Sequence, residues 1–247
     1  MTPQLRAELL KLRSTRTNLG LFSAMLGLVL LVVLLHGFAV PAERLSNRVT
    51  QLNLVFGWAA LLASLFAALL GALSITGEFR HGTIRPTFLV TPRRGRVVLA
   101  KVWASMLMGS IFGLIVATVA LGVGSAVLAT RGVAIRLEGG DAALLLAGCA
   151  MAGALWAAIG VGLGAVVRNQ VPIVAGICAW LLFVEQLLLG DILGGVGGYM
   201  PGALAKAASG LGGDPVIAPG LAVLLLALYA VAAAAAGWVA TTRRDVV

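Results

Sequence analysis

Charged residues are scarce in this chain. Only 11% of its 247 residues are Asp, Glu, Lys or Arg, and 60% are hydrophobic, whereas a soluble domain carries roughly 25% charged residues. So little polar surface cannot cover a water-soluble globule, and lipid is therefore the expected solvent for most of the chain. The composition excludes an ordinary soluble protein and predicts an all-α polytopic membrane protein.

The residues that usually support catalysis or cofactor binding are also missing. Cys149 and Cys178 lie in apolar segments and offer neither a disulfide framework nor a metal site. His36 and His81 are far apart, and the absence of H-E-x-x-H argues against an intramembrane zinc protease. The chain has no G-x-x-x-x-G-K-[ST] phosphate loop. We expect a non-enzymatic protein that binds no cofactor or metal and hydrolyses no ATP itself.

One glycine pattern resembles a nucleotide-binding motif. GVGLGA at 160–165 fits the relaxed dinucleotide fingerprint, but it lies inside an apolar run with no preceding strand. Gly160 and Gly164, like Gly109 and Gly113, form G-x-x-x-G pairs, which let membrane helices approach closely. Helix packing is therefore the predicted role of these four glycines.

Six apolar runs are each long enough to cross a hydrocarbon layer about 30 Å thick, which takes about 20 helical residues. The tripeptide at 168–170 separates the fourth run from the fifth, so these two should form a tight hairpin. The chain then divides into a tail, residues 1–18, and one six-helix domain, residues 19–247. The predicted spans are 19–40, 52–76, 102–130, 142–167, 171–190 and 217–242.

The distribution of basic residues predicts the orientation. With both termini in the cytoplasm, 13 of the 18 Lys and Arg residues lie on the inner side, in short loops and tails, as the positive-inside rule requires. Most of the acidic residues then lie outside. This rule also explains the net charge of +9 without a nucleic-acid partner.

The amino-terminal tail reads PQLRAELLKLRSTR and places Leu5, Leu9 and Leu12 on one helical face. A basic amphipathic helix next to a span is typical of an interface helix that lies in the membrane plane. The alternative is a charged tail that only stops translocation.

A basic interruption separates the second predicted span from the third. It contains GEFRHGTIRP at 77–86 and TPRRGRVVLAK at 91–101. A simple turn needs only a handful of residues, and Pro86 and Pro92 should divide this segment into short helical pieces. Such pieces either dock into a groove on a soluble partner or form a solvated loop held against anionic headgroups.

The segment between the last two spans, 190–215, is rich in glycine but keeps large apolar residues. This mixture favours short re-entrant helices over a flexible external loop, provided that they pack against protein. Glu185, just before it, is an acid placed inside a predicted span. It is a candidate for the translocation path, and the alternative is that it reaches the headgroups or caps the following segment.

Taken together, these features resemble the permease subunit of a bacterial type-2 ABC exporter family, over essentially the whole chain. The most specific residues are Glu78, Gly82 and Thr83 in EFRHGT, Pro92 and Arg94 in TPRR, and Lys101 at the start of the third predicted span. The resemblance implies a cytoplasmic coupling helix between spans two and three, next to the tail helix. The implied ATPase-coupling interface consists of Glu78, Arg80, Gly82, Thr83, Arg85, Pro92, Arg93, Arg94 and Lys101.

The same resemblance implies export through the bacterial inner membrane by a dimer of this chain with two copies of a separate ATPase, which binds ATP and Mg²⁺. The apolar spans favour a hydrophobic or amphipathic substrate such as a drug, an antibiotic or a lipid, and so a role in antibiotic resistance. The alternative function is an ATPase-independent carrier or a membrane anchor subunit. A carrier would show several charged or broken-helix sites near the membrane midplane.

Overall fold

A computed structural model describes residues 3–83, 94–187, 194–211 and 217–243. Within these ranges every regular element is helical, which confirms the all-α class. A short turn, Ala42–Leu45, precedes α3, and a 3₁₀ helix, Gly194–Tyr199, precedes α7. The main helices are α1 (Pro3–Ser14), α2 (Arg16–Ala39), α3 (Arg48–Arg80), α4 (Arg94–Thr130), α5 (Gly139–Val167), α6 (Gln170–Val184), α7 (Pro201–Ala208) and α8 (Pro219–Arg243).

Among the described residues, α2, α3, α4, α5 and α8 are long and apolar enough to cross a membrane. The protein is therefore membrane-embedded. The helix α6 is also apolar but shorter, and the turn Glu185–Leu187 continues it. The predicted fifth span, 171–190, runs into residues outside the described part, so the count of six spans stays a prediction.

Two helices extend well beyond the predicted spans. The helix α3 begins at Arg48, passes through a π-helical turn at Gln51–Phe56 and ends at Arg80. The helix α4 begins at Arg94, so Lys101, predicted at the start of the third span, lies inside the helix. The limits of the span within α4 stay a prediction. Hydropathy marks where charges begin, whereas backbone hydrogen bonding continues past that point when the polar side chains find partners.

The helix α5 lies at the centre of the bundle and packs most extensively against α3, α4 and α8. Backbones come very close at these contacts. A Cβ atom on Gly109 or Gly113 of α4 would collide with a carbonyl oxygen of α5, and one on Gly160 or Gly164 of α5 would press on the backbone of α3. These glycines therefore permit close helix approach.

Polar contacts gather at the two ends of the bundle. At the end where α3 begins, Arg48 lies 2.7 Å from Asp141 of α5, and the buried Gln51 amide donates to the carbonyls of Leu45 and Ala134. At the other end, Glu78 pairs with residues of α1 and α4. The rise from Gln51 to Glu78 along α3 is about 40 Å, enough to separate two headgroup layers.

Candidate functional site

The helix α1 is docked on the bundle through its apolar face. Leu12 is buried and Leu5 and Leu9 are partly buried against the core, whereas Leu10 points outward and is exposed. The contacts of α1 are mainly with α4. The leucine face of the tail therefore packs against protein.

Four charged residues from three helices form one network at this end of the bundle, which we call the ion tetrad: Glu8 and Lys11 of α1, Glu78 of α3 and Lys101 of α4. The Lys101 ammonium donates to Glu8 Oε2 at 2.7 Å, to Glu78 Oε1 at 2.8 Å and to the Ser74 carbonyl at 3.2 Å. Lys11 donates to Glu8 Oε1 and to Glu78 Oε1, both at 2.9 Å. The tetrad holds two carboxylates and two ammonium groups, so it is neutral overall.

Neutrality matters because the tetrad is largely out of water. Lys101 is 1% exposed and both carboxylates are buried. Burial alone would raise the pKa of Glu8, but the Lys101 and Lys11 ammonium groups outweigh it and hold that pKa below its ordinary value. For Lys11, burial would lower the pKa, but hydrogen bonds to Glu78 and Glu8 raise it above its ordinary value. Both groups of α1 are thus kept charged.

One carboxylate oxygen of the tetrad has no partner. Glu78 Oε2 is buried and accepts no hydrogen bond in the described part of the chain. It lies beside a cleft of about 680 Å³ whose lining includes Lys11, Arg80, His81 and Gln170. A buried carboxylate oxygen normally has a donor, so Glu78 Oε2 is an exception among the buried polar atoms of the described chain.

The turn that follows α3 is the exposed edge of the site. His81, Gly82 and Thr83 are all exposed, and Gly82 has a φ of +68° with open space where a Cβ would stand. Position 82 therefore favours glycine because of its left-handed backbone conformation, and not because a side chain would collide with neighbouring atoms. Arg80 donates to the Gln170 side chain at 3.0 Å, which connects the turn to the start of α6.

The predicted coupling residues thus fall into three groups. Glu78 belongs to the tetrad, and Arg80, Gly82 and Thr83 lie at or next to the exposed turn. Lys101 is too deeply buried to present its ammonium at a protein surface, so its place is behind Glu78. The stretch from Glu78 to Thr83, which the resemblance implies as the coupling helix, consists of the last residues of α3 and the exposed turn after it. Arg85, Pro92 and Arg93, together with the Arg94 side chain, lie outside the described residues.

Sequence reasoning missed Glu8, Lys11 and Arg168. Glu8 is an acid on the same helical face as Leu5 and Leu12, and that misplaced charge was the available signal. Arg168 adopts a left-handed φ of 57° between α5 and α6, donates to the Ala240 carbonyl at 2.9 Å and stacks on Phe79. It joins the hairpin to the ends of α8 and α3, and hydropathy gives no sign of this.

Glu185 lies at the opposite end of the bundle from the tetrad and is 1% exposed. Its Oε1 accepts from Trp180 Nε1 at 2.9 Å and from the Gly202 backbone at 2.8 Å. Gly202 is in the first turn of α7, so Glu185 caps that helix, where a negative charge is favoured by the helix dipole. This geometry matches the alternative that Glu185 caps the segment that follows it. A role for Glu185 in the translocation path stays a prediction.

A scan of the chain against known protein families finds no match, and a search of curated proteins finds no relative.

Proposed function

We propose that this protein is the membrane-spanning permease subunit of a bacterial ATP-binding cassette exporter, acting with a separate ATPase. Both termini face the cytoplasm in this proposal, six helices span the inner membrane, and two copies of the chain pair with two ATPase subunits. The observation that carries the proposal is the ion tetrad, which binds three helices together next to an exposed turn at one membrane face.

The mechanical argument starts from the exposed turn, 81–83. A partner that pushes on this turn acts on the end of α3, because Glu78 lies less than one helical turn before it. Lys101 and Glu8 then transmit the displacement to α4 and α1 through contacts of 2.8 Å and 2.7 Å. Since α3 is the most deeply buried of the candidate spans and packs on α5, a small movement of its end reaches the bundle centre.

The distribution of polar groups favours this proposal over the alternative, an ion-coupled carrier. The runs 49–77, 102–130 and 142–167 contain no charged residue. Ser64 and Thr76 lie buried in α3, and Thr241 in α8, and each hydroxyl bonds to a carbonyl of its own helix. A carrier is expected to place ionisable or broken-helix sites near the midplane. The substrate is expected to be hydrophobic or amphipathic for the same reason.

The test uses a candidate ATPase subunit, co-expressed and purified with this chain. Gly82→Val puts a β-branched side chain at a positive φ, which costs about 1–2 kcal/mol and distorts the turn. Gly82→Asn is the matched control, because Asn tolerates this conformation. The proposal expects Gly82→Val to reduce complex recovery and substrate-stimulated ATP hydrolysis, with Gly82→Asn close to wild type.

Glu78→Gln is the second variant. It keeps the size of the side chain and makes the segment more basic, so binding of the loop to anionic headgroups would be unchanged or stronger. Coupling to an ATPase should instead weaken by about tenfold or more, because the charge-assisted hydrogen bonds from Lys101 and Lys11 that hold the end of α3 are weakened. Wild-type coupling in both Gly82→Val and Glu78→Gln, at equal membrane levels, would leave the segment as a lipid contact and refute the proposal.

A further inference from the structure

We infer that the end of the bundle opposite the ion tetrad contains a binding pocket for an anionic headgroup, a phosphate or carboxylate carried on an apolar tail. The pocket is a cavity of about 120 Å³ between the start of α3 and α7. It is lined by Asn53, Leu54, Gly57, Trp58, Leu61, Lys206 and Leu211.

The first argument is the state of Lys206. Its side chain is half-buried, and within the described part of the chain its ammonium makes no hydrogen bond or ion pair. A partly desolvated ammonium without a partner is costly. An oxyanion in the cavity would supply the missing partner.

Glu185 does not fill that role. It attracts Lys206 electrostatically, but no hydrogen bond or ion pair joins the two side chains in the described part of the chain. Glu185 Oε1 accepts from Trp180 and the Gly202 backbone, and its Oε2 accepts no hydrogen bond there. A Cβ on Gly202 would collide with Glu185 Oε2, so the carboxylate is pressed against the first turn of α7. The two charges therefore belong to different contacts, one inside the fold and one beside the cavity.

The second argument is the composition of the lining. Asn53 and Lys206 are the polar side chains of the cavity, and Asn53 makes no side-chain hydrogen bond in the described part of the chain. The remaining side chains are apolar or aromatic, and the Trp58 ring is held against His36 with centroids 5.4 Å apart. A volume of 120 Å³ equals about four waters, which suits a headgroup but not a whole amphiphile. The apolar tail must then extend outward along the hydrophobic lining.

The experiment measures equilibrium binding to the full chain purified in a neutral detergent. The probes are dodecanoate and dodecyl phosphate, with dodecanol as the neutral probe of the same length. Wild-type protein should bind both anions and bind dodecanol at least about tenfold more weakly, since the alcohol lacks the charge-assisted contact. Absence of anion binding, or dodecanol binding as tight as dodecanoate, would overturn the pocket.

Lys206→Met keeps the length of the side chain and removes the charge, and it should weaken anion binding by about tenfold or more. Arg44→Met removes one charge from the exposed surface near the start of α3 and should leave binding unchanged. Asn53→Leu is a second pocket variant that leaves Lys206 in place, and it should also weaken binding. Equal anion affinity in wild type and Lys206→Met, with both chains folded by thermal melting, would refute the assignment.

A final arm separates the two sources of the headgroup. The chain is reconstituted in phosphatidylcholine vesicles with or without phosphatidylglycerol, and dodecanoate binding is measured again. Competition by phosphatidylglycerol would assign the pocket to a membrane lipid, and undiminished binding would assign it to a separate amphiphile. Both results need Lys206-dependent binding, and its absence from both vesicle types would contradict the inference. The pocket needs no ATPase partner, so it can fail or hold independently of the proposed function.

Discussion

Lys101→Met is the sharpest test of the ion tetrad, because it removes one charge from the most buried position. Without the Lys101 ammonium, Glu8 and Glu78 share only Lys11, and the tetrad changes from neutral to a net charge of −1. Removing one partner of a buried ion pair costs about 3–5 kcal/mol, most of it from the unpaired charge left behind. At 1.4 kcal/mol per factor of ten, the lower figure is a factor of about one hundred.

Lys11→Met is the matched control. It removes the same charge from the same two carboxylates at nearly the same distances, but the Lys11 side chain is 46% exposed, against 1% for Lys101. Water can replace much of the hydrogen bonding that the Lys11 ammonium gives the two carboxylates. Lys11→Met should therefore reduce the free energy of α1 docking by only about 0–1 kcal/mol. The two variants thus separate burial from charge.

Hydrogen exchange of the α1 backbone amides reports the docking directly. Exchange should accelerate by about a hundredfold in Lys101→Met, up to the limit set by the stability of α1 docking, and only slightly in Lys11→Met. Adding Glu78→Gln to Lys101→Met makes the remaining pair, Glu8 and Lys11, neutral overall. The double variant should therefore be more stable by about 0.5–3 kcal/mol than the sum of the two single-variant effects predicts. Equal exchange in the two single variants, or strict additivity in the double variant, would show that the tetrad does not hold α1.

Three further predictions follow from the same structure. The pKa of Glu8 is lowered by folding, so Glu8 should stabilise α1 docking above its ordinary pKa of 4.5, and this stabilisation should be lost as the pH falls through the lowered pKa. The pKa of Lys11 is raised by folding, so Lys11 should stabilise docking below its ordinary pKa of 10.5, and this stabilisation should be lost as the pH rises through the raised pKa. Melting temperature measured against pH should therefore have a plateau between these limits, and Glu8→Gln should flatten the acid side. Gly202→Ala should lower the melting temperature through its clash with Glu185, whereas Gly220→Ala, with open space around it, should not. Gly113→Leu should disrupt the α4–α5 contact and reduce folded yield, and Gly122→Leu, on the open side of α4, is its control.

Hydropathy was sufficient to locate the five helices that are long and apolar enough to cross a membrane, but not their ends. The predicted span 52–76 lies within α3, and 102–130 lies within α4, but both helices continue into charged sequence. The continuation depends on partners that are distant in the chain. Glu78 pairs with Lys11, which is 67 residues away, and with Lys101, which is 23 residues away. No local pattern contains that information.

Two of the four tetrad residues could be predicted from the sequence as functional residues. Glu78 and Lys101 are among the residues that carry the family resemblance, which implies that both belong to a docking surface. Glu8 shares the helical face of Leu5 and Leu12, but a helical wheel shows only where its side chain points and not that it meets Lys101. The burial of Lys101 turns two residues of an expected surface into parts of an internal connection.

Hydropathy also cannot tell a lipid-facing helix from a core helix, since both surroundings accept apolar side chains. The helices α2 and α3 are both strongly apolar, but α2 is mostly exposed and α3 almost fully buried. Their content of small residues differs: α2 has two alanines, α3 has six, and its neighbour α5 has nine alanines and seven glycines. Small residues let backbones approach, as at Gly160 against Ala68.

Residue size therefore carries packing information that hydropathy lacks. Small residues permit a close contact without requiring one, since the alanines of α8 at 232, 235 and 236 face outward.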